Sequence, residues 1–208
     1  MKKKYQILKV IDKSDNYGTK KNNIFDVPFR VLLTAKSGMG KTTVITNLIL
    51  NPNFYFKDFD GDDIYIISPS LNNDEKLMVI AEEKEIPDSN LMNEYDESIV
   101  KAISRIACNG RHINLNLIVC VQAYSQASPV LRQNINGLII FDTSKKNLDD
   151  IASENNFVFN KDSEFIACFR DNVKSKRDFM VINYTNEKKE MLLDKNFEPI
   201  DIEKYKKK

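Results

Sequence analysis

The stretch from Val31 to Thr43, VLLTAKSGMGKTT, constrains the fold of this chain more than any other feature. An apolar run typical of a buried strand leads into a glycine-containing loop, and an apolar helical pattern begins at Lys41. Strand, loop and helix in this order are the setting of a phosphate-binding P-loop, because the N–H groups at the start of the helix attract an anion. The stretch therefore predicts a nucleotide-binding loop.

The candidate nucleotide contacts are consecutive residues of this loop and of the helix start: Ser37, Gly38, Met39, Gly40, Lys41, Thr42 and Thr43. We expect Lys41 to reach the β- and γ-phosphates of ATP and to be catalytic, and the Thr42 hydroxyl to be a ligand of Mg²⁺. The usual pattern is G-x-x-x-x-G-K-S/T, and Ala35 stands where its first glycine would be. Alanine is nearly as small, and the Gly-Lys-Thr anchor is intact.

Composition limits the partners that this chain can bind. Its 31 Lys and Arg residues nearly balance its 30 Asp and Glu residues, for a net charge of +1. A globally basic nucleic-acid-binding protein is not indicated, so any contact with nucleic acid must be local. The three cysteines lie far apart without zinc-site spacing, which favours free thiols in a reducing compartment. We expect an intracellular protein without a signal peptide or a membrane span.

The rest of the chain predicts a single domain over residues 1–208, with an N-terminal strand or arm at 1–24 and a charged tail at 203–208. Apolar runs predict strands at 63–68, 115–121 and 138–141, and helical periodicity predicts helices at 73–84, 97–109, 129–135 and 148–155. Two last strand runs, 164–169 and 178–184, flank a basic turn and predict a C-terminal antiparallel hairpin. The fold class is therefore α/β: a P-loop NTPase three-layer sandwich, with a mainly parallel sheet and helices on both faces.

The sequence shows no clear acidic residue to hold Mg²⁺, although a P-loop ATPase needs one. Such an acid normally ends a strand next to the P-loop strand. No strand is predicted between the helices at 73–84 and 97–109. The apolar run that ends at Asp142 makes this residue the candidate metal ligand, although Asp often follows a strand simply because it favours turns.

Gln122 ends the predicted strand at 115–121, at the edge where parallel sheets bind their ligands. Its amide can hydrogen-bond a γ-phosphate or an attacking water, and it is a candidate catalytic residue; the alternative is a glutamine that only ends a strand. Arg105 and Arg111 are candidate arginine fingers if subunits form a ring, and Arg132 is a third possibility. Each arginine has an alternative role as a surface ion-pair partner.

Three segments carry a family resemblance: TAKSGMGKTT, DDIYIISPS and, most specifically, NGRHINLNLIVCVQAYSQASPVLRQNI. They resemble the genome-packaging ATPases of large eukaryotic DNA viruses and virophages, which belong to the FtsK–HerA superfamily of P-loop motors. The resemblance covers about residues 29–142. In the family an acidic Walker B strand precedes the Gly-Arg-His segment, whereas residues 87–96 here form a polar stretch. The family's metal-holding acid therefore matches no residue of this chain.

The resemblance implies an ATPase that uses ATP and Mg²⁺ to pump double-stranded DNA into a capsid, with Gln122 as its sensor. It also implies a homo-oligomeric ring, a capsid or membrane protein at the packaging vertex as partner, and a place in the host cell cytoplasm, in the virus factory or with the virion. The alternatives are a nucleotide-binding assembly protein with little or no hydrolysis and a small P-loop kinase. The kinase is disfavoured because the chain has no arginine-rich lid.

Overall fold

The computed structural model describes residues 24–94 and 96–206. The strands are β1 (Arg30–Thr34), β2 (Ile66–Ile67), β3 (Leu91–Met92), β4 (Leu117–Val121), β5 (Gly137–Phe141), β6 (Phe179–Asn183) and β7 (Leu192–Leu193). The α-helices are α1 (Lys41–Leu50), α2 (Glu75–Glu83), α3 (Glu97–Asn109), α4 (Pro129–Asn134), α5 (Lys145–Asn155) and α6 (Asp162–Asn172). Within the described ranges, no helix is both long and apolar enough to cross a membrane.

The central sheet has five strands in the order β4-β1-β5-β6-β7. Strand β1 runs parallel to both β4 and β5, whereas β6 and β7 are antiparallel additions at one side. Strands β2 and β3 pair in parallel as a separate two-stranded sheet. Because β1, β4 and β5 are parallel, the loops that follow them meet at one edge of the sheet, which we call the carboxyl edge.

Alternate residues of the central strands are buried in two different cores. Leu32, Leu138 and Met180 belong to one core, which α3 to α6 cover. Leu33 and Ile139 belong to the other, where α1 packs. Burial of each such side chain stabilises the fold by about 1.5–3 kcal/mol. Helices on both faces of a mainly parallel sheet confirm the predicted three-layer α/β fold.

The C-terminal hairpin differs from the prediction. Residues 164–169 lie within helix α6 rather than in a strand, and β6 pairs with β7 instead. Phe165, Cys168 and Phe169 are buried at helical spacing, so one face of α6 packs on the core. The Glu164 carboxylate accepts hydrogen bonds from the backbone N–H groups of Asn160 and Lys161, which closes the start of the helix.

Two further predictions need correction. Strand β3 lies between α2 and α3, where no strand was predicted, and β2 covers only two of the six residues of the predicted strand 63–68. The predicted charged tail contacts α6, because Lys204 Nζ lies 2.8 Å from a carboxylate oxygen of Asp171 and the Tyr205 hydroxyl donates to the same oxygen. The predicted arm lies almost entirely outside the described residues.

Candidate nucleotide-binding site

The loop between β1 and α1 has the backbone shape of an anion-binding site. Gly38 and Gly40 have φ angles of +74° and +108°, a left-handed region that side chains disfavour. Gly40 is the N-cap of α1, and no side chain of the described residues caps this helix. The first N–H groups of α1 therefore remain available to a phosphate, as the sequence predicts.

Lys41 lies over this loop. Its ammonium group donates hydrogen bonds to the carbonyl oxygens of Ala35, at 2.5 Å, and Lys36, at 3.2 Å. Burial lowers the pKa of Lys41 below its ordinary value, since the charged form loses solvation. The two hydrogen bonds hold the ammonium group at the loop where phosphates would bind.

A carboxylate contacts the P-loop threonine. The Thr42 hydroxyl donates a hydrogen bond to Asp74 Oδ2 at 3.0 Å, and both residues are half-buried. Asp74 is also the N-cap of α2, where its Oδ1 accepts from the Lys76 backbone N–H at 3.2 Å. The Lys76 ammonium in turn donates to the Thr43 hydroxyl at 2.5 Å. The first turn of α2 therefore contacts both threonines.

The sequence placed Asp74 only at the start of the helix predicted at 73–84 and gave it no role at the P-loop. Thirty-two positions separate it from Thr42, and no local pattern links two residues at that distance. The packing of α2 against α1 brings them together, through buried residues such as Ile49, Ile80 and Ile86.

Thr42 and Asp74 suit Mg²⁺ chemically, because Mg²⁺ prefers oxygen ligands and accepts one or two protein groups beside phosphate oxygens and water. A bound Mg²⁺ would neutralise phosphate charge. In the part of the chain that the structure describes, no group of three or more His, Cys, Asp or Glu residues is placed to hold a metal ion. A metal at this site would therefore depend on the nucleotide for most of its ligands.

Gln122 follows β4 at the carboxyl edge, beside the start of the P-loop. The Ala35 N–H donates to the Val121 carbonyl at 3.2 Å, which ties the two loops together. The Gln122 side chain is exposed, while its backbone N–H donates to Gln126 Oε1 at 2.9 Å. A second bond, from the Tyr124 N–H to Asn147 Oδ1, fixes the same loop. The position agrees with a γ-phosphate sensor, whose role stays a prediction.

Asp142 follows β5 at the same edge. The pairing of Thr34 with Ile140 places it beside the beginning of the P-loop, and its side chain is exposed. Its role as a metal ligand stays a prediction. The carboxylate that the Thr42 hydroxyl bonds, however, is that of Asp74.

The three arginines occupy different surroundings. Arg132 forms an ion pair with Glu154 at 3.2 Å and lies over the Tyr124 ring, so its guanidinium is used within the subunit. Arg105 is exposed on α3. Arg111 belongs to the 3₁₀ turn Gly110–Ile113 that precedes β4, at the edge of the sheet opposite the P-loop of its own chain. Arginine-finger roles for Arg105 and Arg111 stay predictions.

Three solved structures resemble this chain at low similarity. The genome packaging NTPase B204 of Sulfolobus turreted icosahedral virus 2, in complex with sulfate, has 15% identity and a TM-score of 0.47, covering 77% of this chain and 94% of that chain. B204, described as the DNA-packaging ATPase from Sulfolobus turreted icosahedral virus, has 13% identity and a TM-score of 0.46, covering 86% and 99%. EssC (ATPases 2 and 3) from Geobacillus thermodenitrificans has 14% identity and a TM-score of 0.37, covering 57% and 33%. Alignments this distant carry no information on residue roles.

No curated protein matches the chain. A family model does: residues 90–198, slightly more than half of the sequence, match the model described as Poxvirus A32 protein. The matched segment contains Gln122 and the Gly-Arg-His residues on which the sequence resemblance depends, and the P-loop precedes it. This chain belongs to the poxvirus A32 protein family.

Proposed function

We propose that this protein is an ATPase that moves double-stranded DNA into a viral capsid. The observation that carries the proposal is the carboxyl edge of the sheet, where an uncapped helix start, Lys41 and Thr42 lie beside Gln122. Such an edge can position a nucleoside triphosphate and sense its γ-phosphate. Membership of the A32 family and the sequence resemblance to packaging ATPases support DNA packaging as the process that ATP drives.

The proposed contact with DNA is local, since the chain is nearly neutral. Lys174, Lys176 and Arg177 form an exposed basic turn between α6 and β6. Because Phe179 pairs with Phe141, this turn lies at the carboxyl edge. In the proposed ring of identical subunits, several copies of the turn would grip the phosphate backbone. A neighbouring subunit would supply Arg105 or Arg111 as a finger.

We place this ring in the host cell cytoplasm, in the virus factory, where it would dock on a capsid or membrane protein at the packaging vertex. The same assembly would remain with the virion if the ring stays on the capsid after packaging.

The test measures ATP turnover of the purified chain with and without double-stranded DNA, over a series of salt concentrations. We expect DNA to stimulate turnover and DNA affinity to fall steeply with salt, whatever the DNA sequence. Gln122→Ala should lower kcat far more than it raises KM. The proposed motor function would be contradicted if the protein stays a monomer in the presence of nucleotide and DNA, or if its DNA affinity does not change with salt concentration.

A second candidate function is a nucleotide-binding assembly protein with little hydrolysis. The observation that favours it is β3, a two-residue strand followed by Asn93 and Glu94 rather than by adjacent acids. Tight binding of ATP without turnover, whether or not DNA is added, would support this candidate over the motor.

A further inference from the structure

We propose that Asp74 is the metal-site acid of this chain: it orients the Thr42 hydroxyl toward the Mg²⁺ of a bound nucleotide. The inference rests on the proposed nucleotide site and names a residue that the family resemblance does not supply. In the family the acid follows the strand before the Gly-Arg-His segment. Asp74 instead lies beyond β2, at the start of α2.

The direction of one hydrogen bond is the first argument. The Thr42 hydroxyl donates to Asp74 Oδ2, so its oxygen lone pairs face away from the carboxylate. Those lone pairs are the part of the hydroxyl that binds a cation. Both residues are half-buried, so the carboxylate charge is less screened than a charge on the open surface.

The two oxygens of Asp74 have separate partners, which is the second argument. Oδ1 caps α2 through the Lys76 N–H, whereas Oδ2 bonds Thr42. Asp96, the equivalent cap of α3, uses a single oxygen, Oδ1, for all three bonds described for its carboxylate. Capping alone therefore accounts for one oxygen of Asp74, and the second is committed to the P-loop.

Rigid support is the third argument. Helices α1 and α2 share a buried cluster that includes Ile49, Ile80 and Ile86, so the distance between Thr42 and Asp74 is set by packed helices rather than by a loose loop. A metal site needs its supporting groups held in place in this way. Glu94 is the first acid after β3, but its side chain is exposed, whereas Asp74 is half-buried and bonds Thr42.

The experiment is calorimetric titration with ADP, with and without Mg²⁺, and Mn²⁺ binding by electron paramagnetic resonance as a second readout. Asp74→Asn keeps one oxygen, which can still cap α2, but it puts an uncharged NH₂ group in place of the oxygen that accepts from Thr42, so both the charge and that acceptor are lost. We expect it to reduce the gain in ADP affinity that Mg²⁺ provides by about 10–100-fold, the usual cost of losing a group that supports a metal ligand. Affinity for metal-free ADP should stay the same or rise, because a negative charge is removed.

Asp96→Asn is the matched control, since it makes the same change at the cap of α3 and should leave the effect of Mg²⁺ unaltered. In a Thr42→Ala background, Asp74→Asn should add little, because the two residues act together. Circular dichroism and thermal unfolding check that each variant is folded.

Three outcomes would overturn the inference. Equal changes in ADP affinity with and without Mg²⁺ would leave Asp74 as a cap only. Tighter Mg-ADP binding by Asp74→Asn would mean that the carboxylate only restrains the hydroxyl. A loss of the Mg²⁺ effect in Asp142→Asn instead would assign the metal to Asp142. If the unaltered chain does not bind ADP at all, the proposed function itself fails.

Discussion

Helices α1 and α2 pack against each other, yet their first turns are built in opposite ways. Helix α1 begins after Gly40 without a side-chain cap among the described residues, whereas the Asp74 carboxylate caps α2. With glycine as its N-cap, the start of α1 forgoes only about a few tenths of a kcal/mol of stability and leaves backbone donors for a ligand. A capped start is stable and closed. The comparison teaches that an open helix start together with the glycine-containing loop marks the candidate binding site, and that the Asp74 cap of α2 also bonds Thr42 at this site.

Other helices follow the second pattern. Asp96, Ser128 and Ser144 accept backbone hydrogen bonds at the starts of α3, α4 and α5. Helix α6 has no side-chain cap either, and its Glu164 carboxylate accepts from the N–H groups of Asn160 and Lys161, which precede the helix. Among the described α-helices, α1 and α6 therefore lack a side-chain cap, and of these two α1 is the one that follows a glycine-containing loop.

The largest expected effect comes from removing the cation at the open end. Lys41→Ala should weaken the binding of an ATP analogue with Mg²⁺ by about 1.5–3 kcal/mol, because charge-assisted hydrogen bonds to phosphate are lost. Calorimetry measures this change. Lys57→Ala, at an exposed position in the loop after α1, is the control and should bind normally. Unchanged affinity in folded Lys41→Ala would refute the P-loop assignment.

A smaller effect is expected at a closed end. The Ser128 hydroxyl accepts from the Leu131 N–H at 3.2 Å, so Ser128→Ala should lower the free energy of unfolding by about 1 kcal/mol. Urea denaturation measures it. Ser153→Ala removes an exposed hydroxyl within α5 and should cost little, since alanine favours helix. If both changes cost the same, the cap of α4 contributes nothing specific.

The smallest expected effect is on the pH dependence of stability and of nucleotide binding, and both depend on Lys41 at the open start of α1. Burial lowers the pKa of Lys41 in the folded chain below its value in the unfolded chain. Between the two pKa values the unfolded state binds more protons, so the free energy of unfolding should rise with pH in that window. Nucleotide affinity should fall over the same range, because phosphate needs the charged ammonium. Paired unfolding and binding titrations test the opposite signs, and Lys41→Ala should show neither trend.

The central strands and the P-loop were predictable because their signals are local. Strand β1, the two glycines and the start of α1 are adjacent in the chain, and β4 and β5 are apolar throughout. Residues 164–169 were predicted wrongly because a short, mostly apolar run suits a strand and a helix equally well. Strand β3 was missed because two residues carry no periodicity.

The sequence by itself determined the nucleotide-binding loop, the three-layer α/β class and the position of Gln122 at the carboxyl edge. Each of these features is encoded by apolar residues and glycines that lie close together in the chain, so the sequence shows it directly. Only the tertiary structure decided which carboxylate meets Thr42. The packing of α2 on α1 joins residues 32 positions apart, and that distance is set by side-chain volumes in the shared cluster rather than by spacing along the chain.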